Sequence, residues 1–259
     1  MHAAPASSLL AGYYVISLRP AGAHEGLRRA AARLGARTFA LSPWRLVRRD
    51  DDVTRQALRA ALDADVVLFT SPPAVHAAAA LQPLRETRND QVWLAVGDTT
   101  ARALRGSGLR RVQAPARMDS EGLLALPALA AIGGRTVGLV TAPGGRGVLA
   151  PTLARKGATV RRADVYARHP ICPTPARLAA LRALPMPWLL PVSSAEALSL
   201  TLAKMPDDIA ARLRAARAIA ASERLAARLR TLGFDDVRRA ADARPAALLA
   251  AAVDSATRC

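Results

Sequence analysis

The stretch of residues 134–168, GRTVGLVTAPGGRGVLAPTLARKGATVRRADVYAR, decides the fold because an earlier part of the chain repeats it. Its pattern predicts a strand, a Gly-rich turn, a helix and a second strand that ends at Tyr166. Residues 134–157 align without a gap with residues 12–35, and 7 of these 24 positions are identical. The same shift of 122 positions aligns VVLFTSPPAV (66–75) with WLLPVSSAEA (188–197). The sequence therefore predicts one kind of domain that is present twice.

The chain has 259 residues, 51% of them hydrophobic, and two copies of about 120 residues are each large enough to bury a core. Predicted strands alternate with predicted helices throughout, which is typical of parallel sheets covered by helices on both faces. We therefore expect two similar α/β domains of the flavodoxin or Rossmann-like kind. Two extended segments, residues 37–47 and 159–170, occupy equivalent places in the repeat and could pair as a two-stranded ribbon.

Composition argues against several classes of protein. The two cysteines and four histidines show no spacing typical of disulfides or metal ligands, so we expect no metal and no cofactor. No export signal and no apolar run of membrane-spanning length is visible, which favours a cytoplasmic protein. The net charge is +17, but only 2 of the 37 basic residues are lysines, which indicates a compositional bias toward arginine. This charge favours an anionic ligand over a cationic one.

Ligands of parallel α/β sheets bind at the carboxyl ends of the strands, where helix N-termini present unpaired N–H groups. The residues predicted there are mostly small, hydroxyl-bearing or glycine. They form the candidate ligand-binding set: Arg19, Ser71, Pro72, Gly97, Thr99, Thr100, Gly144, Gly145, Arg146, Ser193, Ser194, Ser222 and Glu223. The simpler alternative for each hydroxyl is a helix N-cap. Because backbone donors dominate, the set suits a large polyanion that is held by many weak contacts.

The usual catalytic motifs are missing from the sequence. It contains no phosphate loop, dinucleotide-binding fingerprint, zinc-protease motif or Cys-x-x-Cys motif. We therefore expect no nucleotide, hydride or metal chemistry. Tyr166 remains as the residue with proton-transfer capacity beside the Pro-rich linker that follows it, and a tyrosine packed for its ring is an equal alternative.

Seven segments in a fixed order carry a resemblance to a known family. They are YVISLRP, VLFTSPPAV, LAVGDTTARAL, DSEGLLALP, GGRGVLAPTLARKGATVRRADVYAR, VSSAEAL and ASERLAARLRTLGF. In these segments, which run through nearly the whole chain, the sequence resembles the uroporphyrinogen-III synthase family of tetrapyrrole (haem) biosynthesis. The resemblance implies a cofactor-free lyase that takes the linear tetrapyrrole hydroxymethylbilane, expels its hydroxyl group, inverts the last pyrrole ring and closes the macrocycle as uroporphyrinogen III.

The resemblance also implies a domain organisation. It implies two α/β domains joined by a two-stranded ribbon, with the substrate in the cleft between them. The first βα unit joins the C-terminal half of the chain. We therefore expect one domain of residues 12–36 with 171–256, a second of residues 48–158, and connections at 37–47 and 159–170.

Residue roles follow from the same resemblance. Tyr166 in the DVYAR segment matches the family's candidate for assisting loss of the hydroxyl group. Thr100 matches the threonine of its VG-x-x-TA motif, and Ser71 and Ser193 match its strand-end serines. We expect hydroxymethylbilane as the partner, no nucleic acid, no membrane and a monomer.

Two alternatives from other functional classes remain open. A two-lobed protein that binds a small anion without catalysis would share the hinge and the cleft. A basic nucleic-acid-binding module would need clustered arginines and stacking aromatics, and the chain has only three each of Phe, Trp and Tyr.

Overall fold

The computed structural model describes residues 9–117, 120–144 and 147–253. Within these ranges the chain forms two compact units. Domain 1 combines the described parts of Met1–Arg45 and His169–Cys259, and domain 2 is the described part of Leu46–Arg168. No helix in these ranges is both long and apolar enough to cross a bilayer.

Strands and helices alternate along the described chain. The strands are β1 Tyr14–Ser17, β2 Arg37–Ala40, β3 Trp44–Arg48, β4 Val66–Phe69, β5 Val92–Ala95, β6 Val112–Gln113, β7 Thr136–Thr141, β8 Thr159–Asp164, β9 Tyr166–Pro170, β10 Trp188–Val192, β11 Arg217–Ala220 and β12 Val237–Arg239. The α-helices are α1 Glu25–Ala32, α2 Asp52–Leu62, α3 Pro72–Leu81, α4 Asp98–Gly106, α5 Ser120–Leu124, α6 Leu149–Arg155, α7 Pro175–Ala183, α8 Ala195–Leu202, α9 Asp207–Arg214, α10 Glu223–Thr231 and α11 Pro245–Ala250. A short 3-10 helix, Pro127–Leu129, follows α5.

Each domain is built on a parallel sheet of five strands. The strand order is β12-β11-β10-β1-β2 in domain 1 and β6-β5-β4-β7-β8 in domain 2. The strands that the sequence repeat aligns, β1 with β7 and β10 with β4, occupy the same places in the two sheets. Domain 1 is therefore a circular permutation of domain 2, in which the chain enters at the fourth strand. The predicted fold class, two parallel-sheet α/β domains, is confirmed.

Helices cover both faces of the domain 2 sheet. Alternate residues of a strand point to opposite faces. Val67 and Phe69 of β4 pack with residues of α2, α3 and α4, whereas Val66 and Leu68 pack with residues of α5 and α6. All four side chains are fully buried. The continuous apolar run of β4 is what a parallel strand between two helical layers requires.

The two-stranded ribbon is shorter than the sequence indicates. β3 pairs with β9, and these strands lie where the chain passes between the two units. The first part of each expected connection belongs to a sheet instead, because β2 pairs with β1 and β8 pairs with β7. The change from sheet to ribbon occurs at Val165, whose N–H donates to Thr141 while its C=O accepts from Arg49. In the other connection Pro43 separates β2 from β3, since proline has no N–H to continue a ladder.

Domain 2 contains one close approach between a helix and the sheet. Gly138 in β7 lies directly under Ala61 of α2. An added Cβ at Gly138 would be 1.8 Å from the carbonyl oxygen of Ala61, far inside van der Waals contact. Only glycine allows α2 to pack against β7 at this distance.

Candidate functional site

Domain 2 has a topological switch point between β4 and β7. From β4 the chain proceeds outward to β5 and β6, then returns to form β7 and β8 on the other side. Parallel α/β sheets bind ligands outside the carboxyl ends of the two strands at such a point, because the following segments diverge there. A cavity of about 340 Å³ lies at this place. We call it the switch-point pocket.

The wall of the switch-point pocket carries hydroxyl groups from neighbouring strand ends. Thr70 and Ser71 follow β4, and Thr141 ends β7. The Thr70 and Thr141 hydroxyl oxygens are 2.7 Å apart and share a hydrogen bond across the two strand ends. The Ser71 hydroxyl is 3.1 Å from the hydroxyl of Tyr166, the first residue of β9. The pocket therefore places the tyrosine hydroxyl beside the N-terminus of α3.

Ser71 has both of the roles that the sequence left open. Its Oγ accepts a hydrogen bond from the N–H of Ala74, 3.3 Å away, and so caps α3. Pro72 occupies the first turn of the helix, where no N–H is needed. Because the same oxygen also contacts Tyr166, capping and lining of the pocket are not exclusive alternatives.

The side chain of Tyr166 combines a buried ring with a hydroxyl group that has a polar neighbour. Its residue surface is only 5% exposed, and its ring belongs to the core cluster that also contains Phe69 and Val140. Tyr166 nevertheless lines the switch-point pocket, and its hydroxyl lies beside that of Ser71, another lining residue. The packed ring leaves the hydroxyl little freedom to move, which is the condition for directing a proton or a hydrogen bond to one place.

Two arginines that sequence reasoning missed also line the switch-point pocket. They are Arg162 on β8 and Arg168 on β9. The Arg162 Nε and Nη2 donate to Asp164 Oδ1 at 3.1 and 3.0 Å, and Nη2 also donates to the carbonyl of Ala142. The basic run of β8 was the available signal, but only the strand pairing shows which of its arginines lies at the pocket.

Domain 1 has an equivalent switch point between β10 and β1. A small cavity there is lined by Arg19 after β1 and by Ser193 and Ser194 after β10. Ser194 caps α8 by accepting from the N–H of Ala197 at 3.2 Å, and Ser193 is exposed. Arg19 donates to the carbonyl of Ala243, and burial lowers the pKa of its guanidinium. The repeat thus places predicted site residues at the same point of both sheets.

The remaining predicted residues lie in several settings. At the start of α4, Gly97 is the N-cap, Thr99 is exposed and Thr100 is buried with 1% of its surface accessible. Ser222 caps α10 through the N–H of Leu225, and Glu223 is exposed beside Arg230 and Arg239. Gly144 lines the switch-point pocket with a positive φ of 86°. Gly145 and Arg146 lie outside the described residues.

His24 is a second residue that the sequence did not single out. It precedes α1, and its ring is held between two serines at the carboxyl edge of the domain 1 sheet. Its Nδ1 is 2.8 Å from the Ser17 hydroxyl, and its Nε2 is 2.8 Å from the Ser42 hydroxyl. Burial is the main cause that lowers the pKa of His24, and the positive charges of Arg28, Arg177 and Arg19 lower it further. The folded protein therefore favours a neutral imidazole.

This environment predicts a loss of stability in mild acid. Because the folded-state pKa of His24 lies below its unfolded value of about 6.5, protonation favours the unfolded chain as the pH falls. We expect the contribution of His24 to the free energy of unfolding to be fully present above about pH 6.5 and to be lost as the pH falls below that value. His24→Gln should show a flatter dependence between about pH 7 and pH 5, measured by urea unfolding at several pH values. Equal slopes for both proteins would contradict this assignment.

Metal ligation has no candidate cluster in the part of the chain that the structure describes. Within residues 9–117, 120–144 and 147–253, no three side chains of His, Cys, Asp or Glu are grouped closely enough to hold an ion.

Comparison with known proteins adds family evidence to this geometry. A family model described as uroporphyrinogen-III synthase HemD matches residues 25–250. A mutant uroporphyrinogen III synthase from the extremely thermophilic bacterium Thermus thermophilus is similar in structure, with a TM-score of 0.60, 21% identity, and coverage of 92% of this chain and 96% of its own. The synthetase from Helicobacter pylori gives a TM-score of 0.60 at 13% identity, covering 93% and 98% of the two chains.

These two structural similarities support the fold, and the family model carries the assignment. No curated protein gives a significant match. The family model spans most of the chain and includes β4 and β7, the strands that form the domain 2 switch point. The chain therefore belongs to the uroporphyrinogen-III synthase family of tetrapyrrole (haem) biosynthesis.

Proposed function

We propose that this chain is a cofactor-independent lyase that converts hydroxymethylbilane into uroporphyrinogen III. In this reaction the linear tetrapyrrole loses its terminal hydroxyl group as water, its last ring is inverted, and the macrocycle closes. The observation that carries the proposal is the switch-point pocket, where the Tyr166 hydroxyl lies next to Ser71 in a chain of this family. We further propose that the protein acts as a cytoplasmic monomer.

The composition of the pocket suits the chemistry of the substrate. Hydroxymethylbilane carries eight acetate and propionate carboxylates, which need N–H, hydroxyl and guanidinium donors. The pocket offers Thr70, Thr141 and two arginines beside Tyr166. The pyrrole nitrogen lone pair helps to expel the hydroxyl group, so neither a metal nor a nucleophilic side chain is required. A site with few acids and bases is therefore compatible with the reaction.

Positioning accounts for most of the catalysis in this proposal. The linear substrate can close unaided to the unrearranged isomer, so the enzyme must hold it where the inverted ring closes through a spiro intermediate. Holding reacting groups in place can contribute several kcal/mol to a reaction, about 7–11 in the most favourable cases. Tyr166 would add a hydrogen bond to the leaving oxygen, and the hydroxyl and guanidinium groups of the switch-point pocket would hold carboxylates.

The direct test is incubation of the purified protein with freshly prepared hydroxymethylbilane. The products are oxidised and the type I and type III uroporphyrins are separated by chromatography. We expect mostly type III, against type I in the protein-free control. Binding of the tetrapyrrole without any gain in type III would support the alternative, an anion-binding protein without catalysis.

Ser71→Ala is expected to have a small effect on turnover. Ser71 is a neutral hydrogen-bonding partner of Tyr166, and one such bond contributes about 0.5–1.5 kcal/mol, or less than about tenfold in rate. Thr174→Ala is the matched control, because it removes a similar helix cap in domain 1, where the Thr174 side chain accepts from the N–H of Arg177. Both variants should lose stability of about 1 kcal/mol from the missing cap. A loss of several orders of magnitude in Ser71→Ala alone, with folding intact, would indicate a covalent nucleophile instead.

A further inference from the structure

The two arginines of the switch-point pocket are cationic side chains to which the family resemblance assigned no role. The described pocket wall otherwise consists of hydroxyl groups, glycine backbone and apolar side chains, and it contains no carboxylate. A wall of this kind binds an anionic group better than a neutral or cationic one, because a guanidinium and a carboxylate form charge-assisted hydrogen bonds. The geometry points to a carboxylate site next to Tyr166.

We propose that Arg162 and Arg168 bind one carboxylate side arm of the tetrapyrrole in the switch-point pocket. Asp164 acts as the positioning residue for Arg162. This inference rests on the proposed function and specifies which residues of this chain select a carboxylate-bearing substrate.

The contacts of Arg162 leave part of its guanidinium available. Nε and Nη2 are directed to Asp164 and to the carbonyl of Ala142, which fixes the plane of the group. Nη1 has no partner among the residues that the structure describes. A guanidinium held on one edge can donate from the other without reorganising, so a bound carboxylate would meet a prepared donor.

Arg168 lies at another part of the same wall. A Cβ added to Gly144 would be 3.7 Å from Nη1 of Arg168, so the guanidinium lies beside the backbone of the turn after β7. The pocket wall therefore carries a guanidinium group on β8 and another on β9.

The proposed contact predicts a particular kinetic effect. A carboxylate side arm takes no part in the bonds that break and form, so it is bound equally in the ground state and in the transition state. Loss of its binding site therefore raises KM more than it lowers kcat. Weaker retention of the substrate also allows more release before ring closure. The variants should therefore form a larger share of the type I isomer.

The chain offers a matched control for Arg162. Arg161 is the preceding residue on β8, and its side chain points to the other face of the sheet. It donates to the carbonyl of Ala60 and lies 3.6 Å from Asp63. Arg161→Gln removes the same charge from the same strand without touching the pocket.

The experiment compares wild type, Arg162→Gln, Arg168→Gln, Arg168→Lys and Arg161→Gln. Binding of uroporphyrin III, with eight carboxylates, is followed by fluorescence quenching at low salt, alongside KM, kcat and isomer ratio with hydroxymethylbilane. We expect Kd and KM to rise about tenfold in both glutamine variants and less in Arg168→Lys, as for loss of one charge-assisted bond. Arg161→Gln should stay within about twofold of wild type, because an exposed ion pair contributes little. Thermal melts establish that each variant is folded.

The outcomes separate this inference from the function on which it rests. If the wild type is active and the variants Arg162→Gln and Arg168→Gln bind uroporphyrin III as tightly as it does, the carboxylate site is overturned. The proposed function is then left intact. An equal loss in Arg161→Gln would also overturn it, since the effect would then reflect net charge. A folded wild type that forms no type III isomer would overturn the proposed function itself, whatever the variants bind.

Discussion

Gly138→Ala is expected to destabilise domain 2 by about 3 kcal/mol, since overpacking of a close-packed contact costs about 1–3 kcal/mol and more where backbone must move. The new Cβ would lie 1.8 Å from the carbonyl oxygen and 2.6 Å from the carbonyl carbon of Ala61. No rotamer change can relieve this overlap, because both atoms belong to the backbone of α2. The helix must therefore shift away from β7, and the buried contacts of Ala61 are lost with it.

Gly106→Ala provides the control for this prediction. Gly106 ends α4, and an added Cβ there meets nothing within 4 Å. Replacing a helical glycine of this kind by alanine is neutral or stabilising by up to about 1 kcal/mol. The two variants are compared by urea unfolding, followed by circular dichroism. Equal stability of Gly138→Ala and wild type would mean that α2 does not approach β7 as closely as the structure indicates.

Tyr166→Phe is expected to lower the rate of uroporphyrinogen III formation by about tenfold to a hundredfold. A positioned general acid typically contributes about 10² to 10⁴ in rate, and we place a neutral phenol at or below the lower end because the pyrrole already assists expulsion of the hydroxyl group. The substitution removes the hydroxyl next to Ser71 and keeps the ring in its core cluster. Slower loss of water gives bound substrate more time to leave, so the share of type I isomer should rise.

Tyr14→Phe is the control for loss of a phenol elsewhere. The Tyr14 hydroxyl accepts from Arg37 in domain 1 and does not line the switch-point pocket. Its rate and isomer ratio should match those of wild type. The measurements are the steady-state rate, the isomer ratio and a thermal melt for each protein. A folded Tyr166→Phe with wild-type rate and isomer purity would reduce Tyr166 to a packing residue.

Local patterns predicted the elements of this fold well, because strands, helices and caps depend on neighbouring residues. The apolar run of β4 lies in a sheet between two helical layers. Ser71, Ser194 and Ser222 each cap the helix that follows them. The internal repeat predicted two similar sheets, and the aligned strands do occupy equivalent positions.

Other parts of the site could not be predicted from local pattern. The repeat gave no reason to separate Arg161 from Arg162, although adjacent residues on a strand face opposite sides of a sheet. The hydrogen bonds of His24 could not be predicted from local pattern, because its partners Ser17 and Ser42 come from other segments of the chain. The ribbon is also shorter than the sequence indicated, because an extended segment can pair with either a sheet or another ribbon strand.

By itself the sequence determined the repeated α/β unit, the helix caps and the small, hydroxyl-rich strand ends, all of which depend on residues close together in the chain. The repeat did not determine the strand order of domain 1: the family resemblance implied that the first βα unit joins the C-terminal half, and the tertiary structure pairs Tyr14 with Trp188. Only the tertiary structure decided that Tyr166, Ser71 and the two pocket arginines surround one cavity. The physical reason is that strand pairing between distant segments selects the edge and the face of the sheet on which each side chain lies. Backbone hydrogen bonds do not select that pairing, because they are nearly the same for any partner strand.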